Sequence, residues 1–291
     1  MFDTFRRSLE LTKASLAVLR SDKELLVFPF VSFLVLVVVT ISFFVPFALI
    51  GGIENVSEGA PSIAEFVLGF LYYVVAYTVI FFFNTALVGA AMIRLDGGDP
   101  KLSDGIRIAG SHLPAIIGYA VIAATVGMIL RTISERAGIV GQIIIGIIGF
   151  VWNVATFLVV PVLVSEKVGP IEAIKRSASL LRKTWGEQIV ASVGIGLVFG
   201  LLVMAVVLVG VVVIIAAASI SAVLALVGVV VLVLAVGGVA LVGSALSGIF
   251  TASLYRYATK GDGGPMFRSE TLSAAFRPKG GGLAGRFGLP R

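Results

Sequence analysis

Three aspartates and one histidine are the residues whose types and spacing could support chemistry in this chain. The stretch RLDGGDPKLSD, Arg94 to Asp104, gathers Asp96, Asp99 and Asp104, carboxylates of the kind that hold a hard divalent cation. Shortly after it, AGSHLP sets Ser111 beside His112, the pairing from which a nucleophile and its base are made. Both patterns stop short of a site. His112 is the single histidine and the chain has no cysteine, which excludes disulfides, thiolate chemistry, cysteine-ligated metals and a histidine-rich metal cluster. No G-x-S-x-G elbow accompanies Ser111. Asp-Gly-Gly-Asp-Pro is also what a tight turn before a helix requires, with Ser103 or Asp104 as the cap. His112 reads equally well as an interfacial or capping residue. The expectation is therefore no enzymatic activity, no cofactor and no metal.

The elements around these residues are set by composition. Of 291 residues, 58% are hydrophobic and 13% charged, against roughly 25% charged in an ordinary soluble domain. Mean hydropathy is +1.10. The charge-free runs extend from Leu25 to Ile53, Phe66 to Ile93, Leu113 to Leu130, Ala137 to Ser165, and Gln188 to Tyr255. A spanning helix needs about 20 apolar residues, so four runs are single spans and the last holds two or three.

Charge decides between those counts. With the N-terminus cytoplasmic and the last run turning near Ala216 to Ser221, 20 of the 22 Lys and Arg fall on the cytoplasmic side, leaving Arg131 and Arg136 outside. The first outer loop carries Glu54, Glu58 and Glu65 and no basic residue. A third span in the last run would place the basic tail outside, against the same rule. The prediction is an all-α polytopic membrane bundle with spans at about 25–50, 65–93, 113–132, 138–164, 187–215 and 222–256. A cytoplasmic helix at 1–24 precedes them and a Gly-rich basic tail at 261–291 follows. The charged segment before the first apolar run is too long for a cleaved signal peptide, and that run exceeds a typical signal core, so the first span is expected to stay. The net charge of +6 follows from topology and is no nucleic-acid footprint.

Shifted by 69 residues, FFFNTALVGAAMIRLDGGDPKLSDGIR falls on FVWNVATFLVVPVLVSEKVGPIEAIKR without a gap, Asn84 on Asn153 and Arg107 on Arg176. FDTFRRS near the start and LSAAFR near the end repeat the same short pattern of apolar residues closed by Arg. The plan is three parallel hairpins of two spans, joined by cytoplasmic amphipathic helices, an internal repeat about an axis along the membrane normal. In Gly169 to Val190 the apolar stripe is Ile171, Ile174, Ala178, Leu181 and Trp185. Such helices either close the bundle or form a collar on anionic inner-leaflet head groups, with Arg6, Arg7, Lys175, Arg176, Arg182 and Lys183 as contacts.

All acidic and basic residues lie in loops, at span ends or in the tail, which counts against a proton- or sodium-coupled transporter. Among the polar residues inside spans, Asn84 and Asn153 are repeat-equivalent: interhelical hydrogen bonding is their default role, a polar spot on a central cavity the alternative. Gly196 with Gly200, and Ala240, Ser244, Gly248 and Ala252 at intervals of four, are candidate close-packing faces, within the chain or between subunits. The tail after Lys260 has the composition of a flexible linker, with the short SETLSAAFR segment as the one piece able to dock.

The phrase SDKELLVFPFVS, the preceding RRSLELTKASLAVLRSDKELL, and the late LYRYATKG and AFRPK resemble a prokaryotic family of multi-span membrane proteins of unknown function, most specifically at DKELLVFP. The six-span plan is more loosely similar to the membrane domain found beside some glycerophosphodiester phosphodiesterases. These resemblances imply localisation and architecture and bring no functional residues. Locally, Ser21 or Asp22 is positioned to cap the helix that follows, Glu24 to sit at its positive end, and Pro29 to be tolerated within a buried bundle.

The functional expectation is a structural, interaction or lipid-organising protein of the plasma membrane, both termini cytoplasmic, whose partners are membrane lipids, a second copy or another membrane protein. The alternative is a transporter or channel for a lipid or small uncharged molecule through a cavity near Asn84 and Asn153.

Overall fold

The computed structural model describes residues 2–50, 62–185 and 195–273. Among them the secondary structure is helical, and six helices are long and apolar enough to cross a membrane: Lys23–Leu49, Ile63–Leu95, Leu113–Glu135, Ile139–Glu166, Gly200–Ala218 and Ala222–Lys260. The expected count holds; the start expected for the fifth span, at 187, lies outside the described residues. The chain divides into two compact units, Asp22–Leu180 and Met1–Ser21 with Leu181–Arg291.

In the first unit a 3-10 turn, Lys23–Leu26, opens onto α2 (Val27–Leu49), followed by α3 (Ile63–Leu95), α4 (Leu102–Ser111), α5 (Leu113–Arg136), α6 (Ile139–Thr156), α7 (Val159–Glu166) and the start of α8 (Pro170–Trp185). Helix α3 is the hub, packing against α2, α4, α5 and α7. It runs 33 residues, about 50 Å at 1.5 Å per residue, well beyond a hydrocarbon core of about 30 Å. Its buried residues concentrate between Thr85 and Leu95. The other helices bury the matching ends: Phe28 and Pro29 at the start of α2, Ile116 to Ala124 in α5, and Val159 to Leu163 in α7. The core of this unit therefore lies at the end that carries α4 and α8, while the remaining lengths of α2, α3 and α6 are apolar and exposed, as lipid-facing surface must be.

Small residues let α4 enter that core. A Cβ on Gly105 would lie 2.5 Å from the Phe28 ring and 2.7 Å from the Ala86 carbonyl, and one on Gly89 would lie 2.9 Å from Ile108. The turn before α4 is tied by Asp22, whose carboxylate accepts from Arg94 Nη2 at 3.4 Å, while the same nitrogen donates to Asp99 at 2.7 Å. Asp22 thus serves α3, and its side chain makes no cap bond; Ser21 instead donates to the Val18 carbonyl. Pro29 is tolerated for a different reason than expected: it occupies the first turn of α2, where no intrahelical N–H bond is lost.

The fourth span is broken. Pro161 has no N–H and would clash with the Phe157 carbonyl, so the helix stops at Thr156 and restarts at Val159. The Leu158 N–H freed by the break donates to the Ser177 hydroxyl of α8 at 3.0 Å, fully buried. The buried face of α8 is accordingly Ala173, Ser177 and Leu180 with Leu181, while Ile171 is 61% exposed; the expected stripe is rotated, and Trp185 lies outside the described side chains.

The second unit contains α1 (Phe2–Ser21), α9 (Ile195–Ala218), α10 (Ala222–Lys260) and α11 (Ser269–Ser273). Helices α9 and α10 form the last hairpin, and α1 packs on both. Their close approaches are at Gly210, whose Cβ would meet Leu232 at 2.5 Å, and Gly228, against Ile214 at 3.1 Å. Gly200 meets nothing within 4 Å, and Ala240 and Ser244 are exposed, so of the expected faces only Gly248 and Ala252 are buried. The side chain positions at Gly196, Arg6 and Arg7 lie outside the described ones.

The start of the tail is folded: residues 261–268, expected as linker, bond back to α10, while SETLS docks as α11, as expected of that segment. Gly261 ends α10 with φ +76, Ser253 donates to the Gly263 carbonyl at 2.7 Å, and Phe267 and Leu272 are buried as α11 docks on α1 and α10. LSAAFR falls outside the described residues beyond Ser273. Asp262 stabilises this cap: it accepts the Gly264 N–H at 3.0 Å and Arg256 Nη2 at 2.9 Å, in that order of influence, and both hold its carboxyl below the usual aspartate value. A depressed folded pKa means the contribution is full above the unfolded value, about 3.9, and disappears as pH falls through the folded one. The thermal midpoint of the detergent-solubilised protein is expected to drop less between pH 5 and pH 3 in Asp262→Asn than in the parent.

Candidate functional site

The residues that opened the sequence reading are each occupied in local structure. Asp104 accepts the Lys101 N–H at 3.0 Å and Arg107 at 2.9 Å, Asp99 takes Arg94, and Asp96 ends α3. His112 sits at the junction of α4 and α5 with Nδ1 2.8 Å from the Ile108 carbonyl and 3.0 Å from Ser111 Oγ. No group of three or more His, Asp or Glu able to hold a metal occurs among the described residues. Lys175, Arg176, Arg182 and Lys183 are exposed on α8, with Arg176 paired to Glu166 at 3.0 Å. Asn84 is half-buried beside Thr85 on α3; Asn153 is exposed on α6, which packs on α5.

A concave surface of the first unit lies elsewhere, along the seam of α2 and α3. One groove of about 490 Å³ is walled by Phe33, Val37, Thr40, Tyr73 and Tyr77, and a second of about 270 Å³ by Phe43, Phe47, Leu68 and Gly69. Thr40 and Tyr72 belong to both walls, and their hydroxyls meet at 3.2 Å where the grooves adjoin. Asn84 and Asn153 line neither.

Helix period explains why tyrosines line this seam. Tyr73, Tyr77 and Phe81 recur every four residues and so stack along one face of α3, extended by Tyr72 to Phe43 and by Phe81 to Tyr119, with ring centroids 4.5 to 6.2 Å apart. Three of these four tyrosine hydroxyls have a polar neighbour: Tyr72 has Thr40, Tyr119 has Thr156, and Tyr73 accepts from Arg131 Nη1 at 2.9 Å. Arg131 Nε in turn donates to Glu135 at 2.8 Å, one turn further along α5. The groove thus has apolar walls, a hydroxyl pair midway and, beside that pair, a charged pair tethered through Tyr73. The sequence signal for it was available: tyrosine is enriched at membrane interfaces, and three within one span are out of place there.

Six apolar helices, one of them broken, and an unenclosed groove along a helix seam define a multi-pass helical membrane protein whose concave surface lies in its spanning segments. The chain belongs to the family of unknown function DUF6159, whose model matches residues 63–265. DKELLVFP falls before the matched segment. No curated protein and no solved structure matches the chain.

Proposed function

We propose that this is a lipid-organising protein of a prokaryotic plasma membrane, with both termini cytoplasmic, that holds a lipid chain in the seam between α2 and α3. The joined grooves meeting at the Thr40–Tyr72 hydroxyl pair carry this reading. Their larger part falls within the roughly 300–1,000 Å³ usual for small-molecule sites. Their walls are apolar and belong to spanning segments, so the molecule with ready access is one dissolved in the bilayer. Exposed Lys175 and Arg176 on α8 support contact with anionic head groups, each residue contributing on the order of 1 kcal/mol.

Gly69 offers the test. A Cβ there meets nothing within 4 Å, so Gly69→Leu grows into the groove without moving backbone. Native mass spectrometry of protein extracted in mild detergent is expected to show lipid retained by the parent and retention reduced about tenfold or more in the variant, the equivalent of about 1.4 kcal/mol. Equal retention, or none in either, overturns the groove and favours a protein scaffold.

A further inference from the structure

We infer that the groove takes a zwitterionic phospholipid, its phosphate on Arg131 and its amine on Glu135; this rests on the groove reading above. The starting observation is the charge distribution. A topology that places 20 of 22 basic residues on one side leaves Arg131 and Arg136 on the other, where the positive-inside rule gives them no reason to be. Its helix puts Arg131 about 27 Å along from Leu113, close to the hydrocarbon thickness of about 30 Å, hence at head-group depth.

The local geometry suits a head group. Arg131 reaches the groove through Tyr73, which lines it, and holds Glu135 through Nε, so the guanidinium is fixed in orientation by two bonds. Its side chain is nevertheless 66% exposed and that of Glu135 62% exposed, which leaves both accessible. A lone cation would suit an anionic lipid. A cation and an anion one helical turn apart are complementary to a head group that carries both signs, since Glu135 repels a lipid that brings only negative charge. Arginine presents donors in a planar fork that matches phosphate oxygens, and the acyl chain then runs from beside Tyr73 along the larger groove toward Phe33 and Ile80.

The test uses the full chain in detergent, titrated with three lipids of identical acyl chains: phosphatidylethanolamine, phosphatidylglycerol and diacylglycerol, with bound lipid counted by native mass spectrometry. The parent is expected to prefer phosphatidylethanolamine over diacylglycerol by roughly ten- to hundredfold, the range of a charge-assisted hydrogen bond. Arg131→Gln is expected to abolish that preference, and Glu135→Gln to erase the preference for phosphatidylethanolamine over phosphatidylglycerol. Arg131→Lys keeps the charge and retains part of the first preference, which separates a head-group contact from a loss of fold. If the parent binds all three lipids equally, or if Arg131→Gln still discriminates, the head-group assignment is wrong and the groove stands. If the parent binds none of them, both are wrong.

Discussion

Gly105→Ala is expected to lower the stability of the Asp22–Leu180 unit by about 2–3 kcal/mol, although alanine is the better helix former. The added methyl would sit 2.7 Å from the Ala86 carbonyl and 2.5 Å from the Phe28 ring, and the carbonyl belongs to a hub helix that cannot yield locally. Helix α4 must then lift away from α3, uncovering Ala109 and the small-residue face from Ala86 to Ala91. Gly110 is the matched control. It lies in the same helix with nothing within 4 Å of its Cβ, so Gly110→Ala is expected to be neutral or stabilising by up to about 1 kcal/mol. Thermal unfolding in detergent, followed by tryptophan fluorescence or by solubility after heating, distinguishes the two. Similar midpoints for both variants would show that α4 does not depend on close approach.

Asp22→Ala is expected to cost about 1–3 kcal/mol in the same assay. Breaking a buried ion pair from one side is strongly destabilising because it strands the partner, commonly by about 3–5 kcal/mol. Here the effect is reduced because Arg94 keeps Asp99 and is 24% exposed. Asp22→Asn retains size and one acceptor, so it should fall between the parent and alanine. The double variant Asp22→Ala with Arg94→Leu should recover part of the loss, since an apolar pair needs no charge compensation. A double variant worse than either single would mean that the two residues act separately.

The span count was legible because it depends on length and hydrophobicity alone, and the broad positions of the amphipathic helices because charge punctuates the apolar runs. What sequence periodicity missed was rotation. In α8 the hydrophobic residues Ile171 and Ile174 suggested one stripe, yet Ala173 and Ser177 are buried, chosen by size and by a hydrogen bond to a broken neighbour. Within α9 and α10 every face is apolar, so GxxxG spacing could not select the face that packs, and Gly210 and Gly228 lacked a motif. The groove is not marked by amides, since Asn84 and Asn153 line neither part of it. Tyrosine, half apolar and half hydroxyl, was the residue to weigh.

The break at Phe157 and Leu158 bears on how the chain is assembled at the ribosome. A buried amide proton without a partner costs about 1–3 kcal/mol, and the hydroxyl that receives this one belongs to Ser177, which is synthesised 19 residues later. Until that segment has emerged and folded back, the fourth span has no low-energy way to close its gap. Its insertion is therefore coupled to the helix after it, and α8 works as a late-arriving clasp that fixes the order in which the middle of the bundle can be completed.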